Sequence, residues 1–127
     1  MKIINLGEKN SALNNFIAEI RDCAIQKDSM RFRINLERIG TFFAYEISKE
    51  LNYSSKEVTT PLGIANCNTL DDNIVIASIM RAGLPLHHGM LDVFDKAQNA
   101  FIAAYRKYGK DNKFTIQIEY ASSPSVG

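Results

Sequence analysis

The sequence predicts an α/β fold: a parallel sheet with flanking helices and a β-hairpin arm. Three observations carry that expectation. Two amphipathic helical stripes run between Leu13 and Leu51. A nearly unbroken apolar run then ends in an arginine and leads into a third helical pattern. A second apolar run comes after that helix, which makes a β-α-β unit whose strands should lie parallel.

From Ser11, a plausible cap, the residues Leu13, Phe16, Ile17, Ile20 and Ala24 recur at spacings of three and four, one face of a helix. A second helix is expected after Asp28 or Ser29, with a stripe of Phe32, Leu36, Ile39, Phe43, Ile47 and Leu51. Arg31 and Arg38, seven apart, fall on one side of it. Glu57 to Thr60 and Ile64 to Asn66 flank Pro61-Leu62-Gly63, a proline–glycine spacing that suits a turn and predicts a short hairpin or bent extended arm.

Asp71-Asp72-Asn73 breaks the chain. Ile74 to Met80 is apolar and rich in β-branched residues without alternation, which predicts a strand buried on both faces. Leu84 to about Ala97 reads as a helix with Leu84, Leu91 and Phe94 on one face, and Pro85 fits its first turn. Ala100 to Tyr105 reads as a second buried strand and Lys107 to Lys113 as an exposed loop. In Phe114 to Glu119 apolar and polar residues alternate, as in a strand with one wet face. Ala121 to Gly127 is small, polar and proline-broken. Only two buried strands face three apolar helical stripes, so the sheet is expected to be incomplete.

A chain of 127 residues with 46% hydrophobic content fits one domain, residues 1–127, with a core of its own. Fifteen basic against 14 acidic residues give a formal charge of +1, which speaks against a nucleic-acid or membrane-surface binder. Cys23 and Cys67 are too few for a disulfide framework and read as small packing residues. The first residues contain no secretory signal and no segment approaches a membrane span, so a cytoplasmic setting is expected.

The candidate chemistry sits at Ile79-Met80-Arg81-Ala82-Gly83-Leu84-Pro85. A buried strand ends, an arginine comes next, a glycine permits close approach, and a helix begins. Ligands of open α/β sheets bind beyond the carboxyl ends of the strands. A helix N-terminus offers amides to an anion, and arginine offers a rigid fork of donors to phosphate oxygens. The alternative is an ordinary strand-to-helix turn with a solvated arginine. Tyr105-Arg106-Lys107 closes the second strand at the same rim, so two guanidinium groups could meet one polyanion; equally, Arg106, Lys107 and Lys110 could form a solvated loop. His87 and His88 point roughly 100° apart on a helix and do not share a metal; one is expected partly buried and the other on the surface. No residue cluster has metal-ligand spacing, and no nucleophile setting stands out.

With these pieces in order, the chain resembles the uracil phosphoribosyltransferases over nearly its whole length. The matching pieces are Arg31-Phe32-Arg33, Ile39-Gly40, Ala44-Tyr45-Glu46, Thr60-Pro61-Leu62-Gly63, Ile79-Met80-Arg81-Ala82-Gly83-Leu84 and Tyr105-Arg106. The resemblance implies a phosphoribosyltransferase-like sheet and transfer of a phosphoribosyl group from 5-phosphoribosyl 1-pyrophosphate (PRPP) to uracil, giving UMP and pyrophosphate, a step of pyrimidine salvage. It implies that Arg81, Ala82, Gly83 and Arg106 hold the pyrophosphate, that Mg²⁺ accompanies PRPP, and that the protein pairs as a homodimer to which the segment near Pro61 contributes. It also implies that Phe114 to Tyr120 forms a hairpin over the site.

One departure from the family pattern stands beside these matches. The family's Asp-x-x-x-Ala-Thr-Gly motif, which cradles the ribose 5-phosphate, does not occur in this chain, and neither does a uracil-reading segment. No catalytic residue is therefore assignable, and the expectation is a front portion that carries the pyrophosphate half-site. The alternative is a non-catalytic truncated remnant that dimerises or binds an anion. An RNA-binding regulator is disfavoured by the near-neutral charge.

Overall fold

The computed structural model describes residues 1–123, so the polar, proline-broken close of the chain lies outside the described residues beyond Ser123. Three helices and five strands run in the order α1 (Leu13–Arg21), α2 (Ser29–Ser48), β1 (Tyr53–Thr60), β2 (Gly63–Leu70), β3 (Val75–Met80), α3 (Leu84–Val93), β4 (Gln98–Tyr108) and β5 (Phe114–Ser122). Short 3-10 turns at Leu6–Glu8 and Ile25–Lys27 precede α1 and α2. The α/β class is as expected.

Ser11 Oγ accepts from the Leu13 amide at 3.3 Å, and the Asp28 carboxylate caps α2 by accepting from the Arg31 amide at 3.1 Å. Ala24 falls outside α1, at the head of the second 3-10 turn. The buried face of α2 is Asn35, Ile39, Gly40 and Ala44, set beside the expected stripe; Ile47, the last stripe residue within the helix, is exposed. The shift results from how closely α3 approaches. A Cβ on Gly40 would collide with the Leu86 carbonyl, and one on Gly89 with the Glu37 carbonyl, so the two backbones touch where side chains would normally intervene. Thr41 Oγ1 donates across this crossing to the Gly89 carbonyl at 3.1 Å.

The core is Ala44, Ile76 and Phe94, surrounded by half-buried Leu51, Ile74, Met90, Leu91, Val93 and Ala97. Leu91 and Phe94 of the α3 stripe thus point where expected, although α3 ends at Val93, four residues before Ala97.

The hairpin arm is longer than expected. β1 and β2 pair antiparallel from Tyr53↔Leu70 to Thr60↔Gly63, with Pro61-Leu62 as the turn and Gly63 at φ 134°. They form their own two-stranded sheet, and Cys67 on β2 is exposed, as is Cys23; neither is the packing residue expected. The second sheet has the order β3-β4-β5. β3 and β4 pair in parallel from Val75↔Gln98 to Met80↔Ala103, which bears out the β-α-β unit.

Three further expectations need correction. β3 is buried on one face only: Ile76 is 5% exposed whereas Val75 and Ile79, on the other face, are 39% and 60% exposed, because the helix after β3 covers one side. The expected loop from Lys107 shortens to residues 109–113, since β4 runs to Tyr108 and pairs antiparallel with β5. β5 has no dry face; Ile116 and Ile118 are each 63% exposed. Alternation reports which side chains share a face, not whether anything covers that face.

Candidate functional site

The parallel pairing of β3 with β4 fixes the geometry of the candidate site. Met80, the last residue of β3, lies opposite Ala103, so Arg81 leaves the sheet level with Ala104. Arg106 stands two residues further along β4, roughly 7 Å at the usual rise of a strand. Both arginines, the turn at Ala82 and Gly83, and Ile116 of β5 line one cleft of about 740 Å³. Among the described residues the two guanidinium groups are the only charged groups that line it, and no carboxylate pairs with either. The Arg106 guanidinium lies 5.1 Å from the centre of the Phe114 ring, which holds it against β5 while leaving its donors free.

The turn itself is tightly built. The Met80–Arg81 peptide is cis. The Gly83 amide donates to the Ile79 carbonyl at 3.0 Å and the Leu84 amide to the Arg81 carbonyl at 3.1 Å. Pro85 has no N–H, so the first turn of α3 offers an anion fewer donors than an ordinary helix start. The Arg81 and Ala82 amides make no such bond and remain available. Gly83 serves space: a Cβ there would lie 2.8 Å from the Ile79 carbonyl oxygen and 3.2 Å from Ser78 Cβ. All four expected residues therefore line one cleft, with Gly83 closing the turn.

Two further residues of the cleft carried no expectation as ligand or positioning groups, Ser78 and His87. His87 is 3% exposed, and its neighbour His88 is on the surface, as the pair was expected to divide. The Nε2 of His87 lies 2.7 Å from Asn99 Oδ1, and its ring stacks on Phe101 at 4.9 Å. Its Nδ1 and Ser78 Oγ are both buried without a hydrogen-bond partner. The signal was present in the periodicity, because His87 falls between Leu84 and Leu91 at spacings of three and four. Among the described residues no group of three His, Cys, Asp or Glu side chains could hold a metal ion.

Arg31 and Arg38 lie elsewhere. Arg31 pairs with Glu19 at 3.1 Å, Asn35 Nδ2 donates to the same carboxylate at 2.7 Å, and Arg38 donates to Asn35 Oδ1 at 3.0 Å. These donations, Asn35 foremost and Arg31 next, hold the Glu19 carboxyl below its ordinary value. The network clamps α1 to α2 and leaves little donor capacity for a ligand. A second groove of about 730 Å³, between residues 4–7 and the first two helices, is lined mainly by apolar side chains such as Ile4, Leu13, Ile17 and Phe43. Among the described residues no helix is long and apolar enough to cross a membrane.

The chain is similar in sequence and in fold to known proteins. A curated uracil phosphoribosyltransferase of Porphyromonas gingivalis is 52% identical over 126 residues, covering 99% of this chain and 58% of that protein. Another of Thermococcus gammatolerans is 33% identical, covering 94% of this chain and 52% of that protein. The chain thus spans a little over half the length of these relatives. The solved structure of the AQ2163 protein from Aquifex aeolicus is similar with a TM-score of 0.74 at 26% identity, covering 91% of this chain and 54% of that one. The family profile described as uracil phosphoribosyltransferase matches residues 8–122, and the chain belongs to that family.

Proposed function

We propose that this chain provides the pyrophosphate-binding part of a uracil phosphoribosyltransferase, which transfers a phosphoribosyl group from PRPP to uracil to give UMP and pyrophosphate. The observation that carries the reading is the convergence of Arg81 and Arg106 on one cleft that contains no carboxylate. Membership of the family supports the substrate class.

As the C1–O bond to the diphosphate breaks, positive charge develops on the ribose and negative charge on the departing pyrophosphate. The two guanidinium groups and the Ala82 amide, aimed at the diphosphate, stabilise that charge more than they stabilise the intact substrate. The cleft side chains offer guanidinium, hydroxyl and imidazole groups but no carboxylate, so they do not fit a resident metal. Mg²⁺ would arrive on the diphosphate and, when bound, supply further charge neutralisation. The reading assigns no residue to the base. The long β1–β2 hairpin, with Leu62 and Ile64 fully or largely exposed, is the surface through which a second copy would pair.

Calorimetric titration of the chain with pyrophosphate and Mg²⁺ tests the site. Arg81→Ala should weaken binding by at least about tenfold, the expected cost of a charge-assisted hydrogen-bonding group. Identical heats from the wild type and Arg81→Ala would remove the proposal. Formation of UMP from uracil and PRPP then tests the transfer itself.

A further inference from the structure

We infer that His87 is a positioning residue, a clamp that sets the separation of Arg81 and Arg106; the inference rests on the diphosphate reading above. The two arginines belong to different elements. Arg81 leads into α3 through the Ala82–Gly83 turn, whereas Arg106 projects from β4. A site for one diphosphate needs the two held at a fixed distance, and His87 bonds to both elements. Its backbone amide donates to the Gly83 carbonyl at 3.0 Å, which ties it to the turn. Its ring reaches β4 twice, by the 2.7 Å bond to Asn99 and by stacking on Phe101.

The register makes this contact local to the turn. Phe101 is the β4 partner of Ser78, and Ser78 Cβ lies directly beneath Gly83. Gly83, Ser78, Phe101 and His87 are therefore stacked in one continuous contact, from the turn through β3 to β4 and back to α3. Asn99 Oδ1 can only accept, so Nε2 carries the imidazole proton and donates. The other ring nitrogen, Nδ1, is buried with no partner.

A packing role alone does not account for this choice of residue. A leucine or phenylalanine would fill the same space between α3 and the sheet without stranding a polar atom, and buried polar atoms without partners are uncommon. What only a side chain with a donor at that position contributes is the directional bond to Asn99. That bond fixes the rotation of the first turn of α3 relative to β4, and hence where Arg81 stands relative to Arg106. Displacement of a binding group by about 1 Å is enough to lower activity by as much as a hundredfold.

The test is a set of variants of the whole chain titrated with pyrophosphate and Mg²⁺. His87→Phe keeps volume and stacking but removes the donor, and should weaken binding about tenfold. His87→Gln keeps a donor and should recover most of that loss; it is also the variant to use if the phenylalanine variant does not fold. Asn99→Ala should cost about as much as His87→Phe, and the double variant little more than either. The reading specific to positioning is the coupling of the arginines. In the wild type the losses from Arg81→Ala and Arg106→Ala should be non-additive, and in the His87→Phe background they should become additive. Wild-type affinity in a folded His87→Phe, with Arg81→Ala still defective, overturns the clamp and leaves the diphosphate site standing. Loss of binding in His87→Phe that glutamine does not recover, with arginine coupling unchanged, also overturns the clamp. Absence of any effect from Arg81→Ala overturns the diphosphate site, and the clamp with it.

Discussion

The two halves of β4 occupy different surroundings. Near its start, Ala100 is 8% exposed where β4 pairs with β3, whereas Tyr105 and Tyr108 are 41% and 66% exposed and run on beyond β3, paired only with β5. Arg81 is anchored in the first region, through Gly83 and α3, and Arg106 stands on the second. The first is packed and hydrogen-bonded from several sides. A two-stranded ribbon such as the second is only marginally stable by itself. The backbone that carries one arginine of the cleft is therefore held by the packed base, and that of the other depends on the parallel register that joins the ribbon to that base.

Substitutions in the two regions should differ sharply. The largest effect is expected at the crossing of α2 and α3. Gly89→Val would drive a branched side chain into the Glu37 carbonyl. Because the obstacle is backbone, the helices must separate, and stability should fall by about 3 kcal/mol or the chain should fail to fold cooperatively. The midpoint of denaturant unfolding reads this directly; an unchanged midpoint would mean that the helices do not cross in contact.

The next comparison uses one residue type in both regions. Ile76→Ala empties a position that is 5% exposed and should cost about 3 kcal/mol, by lost burial and the cavity left behind. Ile118→Ala removes a side chain that is 63% exposed and should change stability by no more than about 0.5 kcal/mol. Equal costs at the two positions would show that the outer face of β5 is covered in solution, and the difference between the two regions would disappear.

Much of this arrangement was legible in the sequence, and what was not has a physical cause. The β-α-β unit could be read because Ile74–Met80 and Ala100–Tyr105 are continuous apolar runs on either side of a helical stripe, and the arginine at the end of each run marked the rim. Burial on both faces of β3 was misjudged because composition states what a strand can tolerate, while its neighbours decide what it receives. The extension of β4 through Arg106-Lys107-Tyr108 was hidden by charge, which reads as a loop although an exposed ribbon accommodates it. The buried face of α2 was displaced because Gly40 and Asn35 carry no hydrophobic signal. Gly40 is buried by its close approach to α3, and Asn35 by its bonds to Glu19 and Arg38. His87 was missed as a clamp because its partners, Gly83, Asn99 and Phe101, are brought together only by the parallel register.

The smallest expected effect concerns acid and the base of the first hairpin. Asp72, just before β3, accepts from the Asn52 amide at 2.7 Å and from its side-chain amide at 3.1 Å, tying the start of β1 to the end of β2. These two bonds, the backbone one foremost, hold the Asp72 carboxyl below its ordinary value. A carboxyl whose value is lower folded than unfolded binds fewer protons when folded. Its contribution is therefore complete above the unfolded value, near pH 4, and is lost as pH falls through the folded one. Asp72→Asn should flatten this part of the acid dependence and leave the neutral side of the profile nearly level. Glu19, held low by Asn35 and Arg31, shifts in the same sense, so Glu19→Gln should flatten it independently. Unfolding midpoints compared between about pH 6 and about pH 2 decide the matter: if Asp72→Asn loses stability toward acid as steeply as the wild type, that carboxylate is not holding the hairpin to the packed base. The hairpin would then be joined there by the peptide chain, the Asp71–Asn52 backbone bond and the bond that the Tyr53 hydroxyl donates to the Ser48 carbonyl at 2.9 Å.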